Sequence, residues 1–253
     1  MNGGADISIS SMLVSSLLVM VSLFFTYFQK LNLEKEIIIG VIRAVVQLVV
    51  VGYLLNYIFG LKSPIFTTFL LSFMIFNASY NAAKRNKGAK NGLLISFISI
   101  ALGASITISI LVFSGIIKYE AYQIIPIGGM IISNSMVALG LCFKQMNSAF
   151  KDKREEVQTK LSLGADILPS SIDIIRDSIK TGMMPTIDST KTLGIVSLPG
   201  MMTGLILAGT SPVSAIKYQI IVTFMLLSTT AICSFIACYM CYRNFFNKRK
   251  QLI

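Results

Sequence analysis

Arg43 and Gln47 stand four residues apart inside an apolar run, and Asn77 and Asn81 repeat that spacing in the next one. Later, Ser133-Asn134-Ser135 lies between Met130 and Met136, and Met201-Met202-Thr203 follows Leu198-Pro199-Gly200. Residues four apart share a helix face, so the first two sets each present polar groups along one side of a helix. Amides, hydroxyls and thioethers of this kind bind a passing solute weakly. Thioethers suit soft metals better than ferric iron. The chemistry on offer is passage, because histidine is absent from all 253 residues. That absence removes the commonest general base and every Ser-His-Asp or Cys-His arrangement. Without a nucleophile–base pair or paired carboxylates, an enzyme is not expected. Two readings stay open for the polar sets: glue between packed helices, or a polar seam. For Arg43 the choice is between snorkelling to the headgroups and turning into the bundle with Gln47.

The elements that must position these residues are membrane helices. Apolar residues make up 54% of the chain and charged ones 13%, and mean hydropathy is +0.75. About 20 mostly apolar residues cross a bilayer. Polar punctuation divides the chain into seven such runs, roughly 7–28, 37–59, 64–83, 92–117, 123–143, 193–209 and 213–242. The first reads as a retained transmembrane helix. Two runs begin Ser63-Pro64 and Ser211-Pro212, where a hydroxyl can cap and proline suits the first turn. Lys and Arg in alternate loops number 18 against 3, which places the N-terminus outside and the C-terminus in the cytoplasm. The net charge of +11 is thus an orientation signal rather than a nucleic-acid footprint. All acids fall in loops or at boundaries. Cys142, Cys233, Cys238 and Cys241 lie in or beside apolar runs rather than in a disulfide framework. The expected fold is an all-α, polytopic integral membrane protein forming a single domain over 1–253.

Between helices five and six lies a cytoplasmic loop, 144–192. Its first part, Asn147 to Lys160, mixes charges of both signs and reads as a solvated continuation of the fifth helix. In its second part Leu168, Ile172, Ile175 and Ile179 recur at spacings of four, three and four, an amphipathic helix. Pro169 fits its first turn and Gly182 its stop. The helix either rests on lipid and the membrane helices or belongs to a docking element for a cytoplasmic partner. The chain contains no G-x-x-x-x-G-K-[ST] phosphate loop, so an ATP motor would be a separate subunit.

Leu198 to Gly204 forms the block Leu-Pro-Gly-Met-Met-Thr-Gly. Its Gly200, Gly204 and Ala208 stripe suits close helix contact. With the preceding Pro185 to Ser197 and the following Gly209-Thr210-Ser211-Pro212, it closely resembles the FetB-type permease family, which includes plant aluminium-sensitivity membrane proteins. Arg43 with Gln47-Leu48, Asn134 to Met136 and Leu163-Gly164-Ala165 stand in the family's order. The chain departs from that pattern at Ser133, Ser135 and Leu205. The resemblance implies the permease subunit of an ABC transporter, with iron export as its bacterial association. It further implies a homodimer in the cell membrane with two copies of an ATP-binding subunit, ATP being held by that partner and no cofactor by this chain. Glu155-Glu156 and Leu161 to Ala165 resemble, loosely, the coupling signature of such permeases.

Two expectations follow. In the leading one, a path for iron or another metal ion runs past Arg43, Gln47, Asn77, Met130, Asn134, Met136, Met201, Met202 and Thr203. Coupling to the ATPase then falls to Glu155, Glu156, Leu161, Gly164, Ala165, Ile172 and Ile175. In the alternative, the same seam serves an ATP-independent channel or carrier for a small solute.

Overall fold

The computed structural model describes residues 8–61, 63–85 and 91–252. It is helical throughout its principal elements. These are α1 (Ile9–Ser15), α2 (Leu17–Phe28), α3 (Glu34–Leu61), α4 (Pro64–Ala83), α5 (Gly92–Phe113), α6 (Ala121–Asp152), α7 (Arg154–Ser162), α8 (Ile167–Thr192), α9 (Gly200–Leu207) and α10 (Pro212–Cys241). A 3-10 turn, Tyr242–Phe245, ends α10. Among the described residues, five helices are long and apolar enough to cross a membrane: α3, α4, α5, α6 and α10. They match five of the seven sequence-predicted runs.

The other two runs take different forms. Residues 7–28 are divided into α1 and the 12-residue α2, and residue 7 lies outside the described residues. In 193–209 the helix has only 8 residues, about 12 Å, against the roughly 30 Å of hydrocarbon. The physical reason is local. Gly194 and Gly209 adopt φ of +79° and +93°, and the Thr192 carbonyl accepts from the amides of Ile195, Val196 and Ser197, folding the connector into a turn.

The chain divides into two units. The first holds α1, α2 and α3. Lys30 and Asn32 take left-handed φ of 51° and 55° at the end of α2, where the Leu31 amide reaches the Thr26 carbonyl at 3.0 Å. Across the apolar part of α3, Glu34–Leu55, no residue is buried.

The second unit is built on α4, α5, α6, α8 and α10. Its core contains Ile100, Ile124, Ile131, Leu139, Phe143, Met146 and Ile175. Small residues let the backbones approach, as membrane bundles require. At Gly103 a side chain would strike Cys233, and at Gly128 it would strike Leu71. Gly182 faces Cys142 and lies so close to α6 that a Cβ would come 2.9 Å from the Ala138 carbonyl oxygen. Among the described residues, a Cβ at Gly200 or Gly204 would meet nothing within 4 Å, so these two glycines make no comparable close contact there. Buried hydroxyls turn back on their own helices: Ser99 donates to Ile95, Ser135 to Ile131 and Ser178 to Ile174, which satisfies them at little cost. Thr107 and Thr229 join α5 to α10 at 2.7 Å.

Both Ser-Pro pairs do open helices. The Ser211 hydroxyl accepts from the Ser214 amide at 3.3 Å, whereas Ser63 makes no side-chain cap. Gly182 is not a stop. It lies inside α8, which continues for ten more residues, through Pro185, to Thr192. In water glycine weakens a helix; here its missing side chain permits contact with α6.

Candidate functional site

The Leu161–Ala165 segment closes α7. The Ala165 amide bonds the Lys160 carbonyl and the Gly164 amide the Leu161 carbonyl, both at 3.0 Å, with Gly164 at φ +90°. This is a Schellman ending, which favours glycine at its left-handed position. The sequence-predicted Leu161, Gly164 and Ala165 therefore lie together, and with Asp166 they line a groove of about 790 Å³ whose far wall is the C-terminal tail, Asn247 to Leu252.

Charges knit the groove's surroundings. Lys160 donates to Glu156 at 2.7 Å and to Asp173 at 3.1 Å, tying α7 to α8, and these carboxylates raise the lysine's pKa, Glu156 foremost. Asp166 caps α8 through the Ile167 amide at 2.9 Å and accepts from Lys250 at 2.8 Å. The Lys250 hydrogen bond, then the amide, holds its carboxyl below the usual carboxylate value. Glu155 and Glu156 are exposed, Ile172 half-buried and Ile175 fully buried. Ile175 packs in the core, while Ile172 keeps part of its side chain exposed.

α8 leaves this groove and runs along α6 and α10 for 26 residues, about 39 Å. Its last turns reach a second cavity, of about 240 Å³. Gly182, Pro185, Thr186, Ser189 and Thr190 form the α8 wall, Asn134, Val137 and Ala138 the α6 wall, Gln219, Thr223 and Leu226 the α10 wall, and Leu193 and Pro199 the connector's. Asn134 stands thirteen residues into α6, about 20 Å from its start. None of the described lining residues is charged. Asp188, beside Ser189 in sequence, is exposed and paired with Lys191 at 3.2 Å. Most polar lining groups bond locally. Asn134 donates to the Met130 carbonyl at 2.8 Å, Thr190 to that of Thr186 at 2.7 Å and Thr223 to that of Gln219 at 2.9 Å. Gln219 differs: its Oε1 is buried with no hydrogen-bond partner among the described residues.

Of the nine sequence-predicted path residues, Asn134 alone lines this cavity. Met130, Met136 and Met201 pack on the core, and Met202 is half-buried. Thr203 donates to the carbonyls of Gly200 and Pro199 at 3.0 and 3.3 Å. Asn77 accepts from Asn81 at 2.8 Å, pairing on the shared helix face. Arg43 and Gln47 are exposed on α3, in the first unit. Sequence reasoning missed Thr186, Ser189, Thr190, Gln219 and Thr223. A signal existed: positions 182, 186, 189, 190 and 193 share one helical face, visible once the helix is carried past Gly182.

Comparison with known proteins places this architecture. The family model described as "Uncharacterised protein family (UPF0014)" matches residues 9–246. The chain is 48% identical to the probable iron export permease protein FetB of Escherichia coli, over 98% of this chain and 96% of that one. It is 37% identical to the UPF0014 membrane protein YjkA of Bacillus subtilis, covering 96% and 97%. Identity to Protein ALUMINUM SENSITIVE 3 of Arabidopsis thaliana is 34%, covering 92% and 86%. No solved structure matches the chain. With near-complete coverage of membrane proteins and long apolar helices of its own, the chain is a multi-pass membrane protein belonging to the UPF0014 family.

Proposed function

We propose that the chain is the membrane subunit of an ABC transporter and exports iron or another metal ion, driven by a separate ATP-binding subunit. The observation that carries this reading is α8 itself. One end borders a groove built from a turn and a charged tail; the other lines an uncharged polar cavity. A force applied at Leu161 to Asp166 thus reaches Thr186 and Ser189 through one continuous helix, whose Gly182 holds it against α6. The relative named for iron export supports the cargo.

In this reading two permease chains work with two ATPases in the cell membrane, with the N-terminus outside and the C-terminus cytoplasmic. The groove, Glu155 and Glu156 then face the motor, while the second half of α8 returns into the membrane beside α6. Rocking of α8 opens the cavity alternately to either side, and ATP is held by the partner alone.

Copurification and transport test this. The complex should retain an ATP-binding subunit, and proteoliposomes should move the metal only when ATP is supplied. Equal flux with and without ATP overturns it and favours the channel or carrier reading, for which the polar cavity is the supporting observation.

A further inference from the structure

Arg85, two residues past the end of α4, reaches across to α6. A Cβ built on Gly140 would come 2.8 Å from both Cδ and Nη1 of the arginine, so the guanidinium lies where a side chain would stand, against the backbone of α6. Lys144 follows Gly140 by one turn, about 6 Å along the axis. Helical side chains lean back over the preceding turn, which directs its ammonium toward the same place. Lys84, next to Arg85 in the chain, holds its Nζ 4.5 Å from the centroid of the Tyr80 ring. All three side chains are exposed. Because the apolar runs end at 83 and 143, the contact between Arg85 and Gly140 sets three cations at the headgroup level of one leaflet.

The chain supplies these cations with no ion-pair partner among the described residues. Between residues 37 and 151 its one acid is Glu120, at the opposite end of α6 and about 36 Å from Lys144. Asp152, two turns beyond Lys144, accepts from Ser148 at 3.0 Å. Glu156, Asp166, Asp173, Asp177 and Asp188 are each paired with other lysines. Like charges gathered without a counterion repel one another, and an anion bound among them relieves all three at once.

We propose that Lys84, Arg85 and Lys144 bind the phosphate of an anionic phospholipid, with the notch at Gly140 holding the arginine in place. A guanidinium grips phosphate oxygens through parallel N–H bonds, and each lysine adds a point charge. The occupant is a lipid because the cations stand where lipid phosphates lie and because an apolar track leads to them. Phe73, Phe76 and Tyr80 are half exposed and, at spacings of three and four, share the α4 face that ends at Lys84, so an acyl chain can rest along them. Under the proposed orientation this is the cytoplasmic leaflet, where anionic lipids concentrate. The site requires only that the chain spans a membrane and is independent of any motor or cargo.

The test titrates purified full-length protein in neutral detergent with dioleoylphosphatidylglycerol and counts bound lipid by native mass spectrometry. Binding should saturate, and dioleoylphosphatidylcholine, whose choline cancels the charge, should bind about tenfold more weakly. Arg85→Gln with Lys144→Gln should weaken binding of the anionic lipid about tenfold. Gly140→Ala keeps every charge, but its methyl takes the arginine's place, so it should weaken binding several-fold; the group displaced is the flexible end of an exposed side chain, and the fold should survive. Lys217→Gln with Lys248→Gln removes the same charge elsewhere and should change nothing. Equal binding of the two lipids by the wild type overturns the proposal without recourse to any variant. Unchanged affinity in Arg85→Gln with Lys144→Gln or in Gly140→Ala overturns it, as does an equal loss in Lys217→Gln with Lys248→Gln, since net charge alone would then attract the lipid. Displacement of the lipid by millimolar inorganic phosphate overturns the choice of occupant.

Discussion

The two ends of α8 are opposites made from one helix. At its start, Asp166 is exposed and tied to Lys250, and Asp173 about two turns on is tied to Lys160. At its end, Thr186, Ser189 and Thr190 face an uncharged cavity. Charges in water are cheap to carry and easily rearranged, which under the proposed function suits a surface for a motor subunit to engage and release. Uncharged groups at the depth of Asn134 avoid the cost of burying ions, which suits a passage. Between the two ends Gly182 fixes the helix against α6, so the contrast is held on a common frame.

The largest expected effect comes from breaking that frame. A Gly182→Val side chain would strike Cys142 and the Ala138 carbonyl oxygen, and overpacking of this kind costs about 3 kcal/mol. Thermal unfolding in detergent should show a melting temperature lowered by many degrees, and both ends should lose function together. Gly164→Ala should separate them. Its φ of +90° costs a residue with a Cβ about 1–2 kcal/mol. ATP-driven transport should fall several-fold while cargo binding by the purified permease is unchanged.

At the other end, Thr186→Val with Ser189→Ala should weaken cargo affinity a few-fold and leave association with the ATPase intact, as copurification would show. The smallest effect concerns pH. Asp166 is held below its usual pKa by Lys250 and the Ile167 amide, so its tether is complete above the ordinary carboxylate value and lost as pH falls through the depressed one. Hydrogen-exchange protection at 247–252, taken relative to the intrinsic rate at each pH, should fall over that acid range, and Asp166→Asn should lower it already at neutral pH.

The membrane helices were legible in the sequence because apolar length is a strong signal in lipid. The runs at 64–83, 92–117 and 213–242 coincide with α4, α5 and α10 to within a few residues. α6 runs on past the apolar run's end at Phe143, as the mixed charges after Asn147 suggest, but it stops at Asp152 and a separate α7 begins at Arg154. α8 was legible only to Gly182. Its second half carries Thr186, Asp188, Ser189, Thr190 and Lys191, a composition that reads as loop when the partner helix is unknown. The turn at Gly164 was found as a motif, although its geometric reason, a left-handed helix ending, requires coordinates. Gln219 was invisible as a site residue. One glutamine near the start of an apolar helix acquires meaning only when it is seen to line the same cavity as the end of α8.

Under the proposed function, the most direct measurement follows cavity access through the ATP cycle of the assembled complex. With Ser189→Cys in the assembled complex, the labelling rate by a membrane-impermeant charged thiol reagent should change at least tenfold between nucleotide-free and ATP-bound states. That change should vanish when Gly164→Ala is added. A rate at Ser189→Cys that is the same in both states would contradict the account, since α8 would then carry nothing from the groove to the cavity.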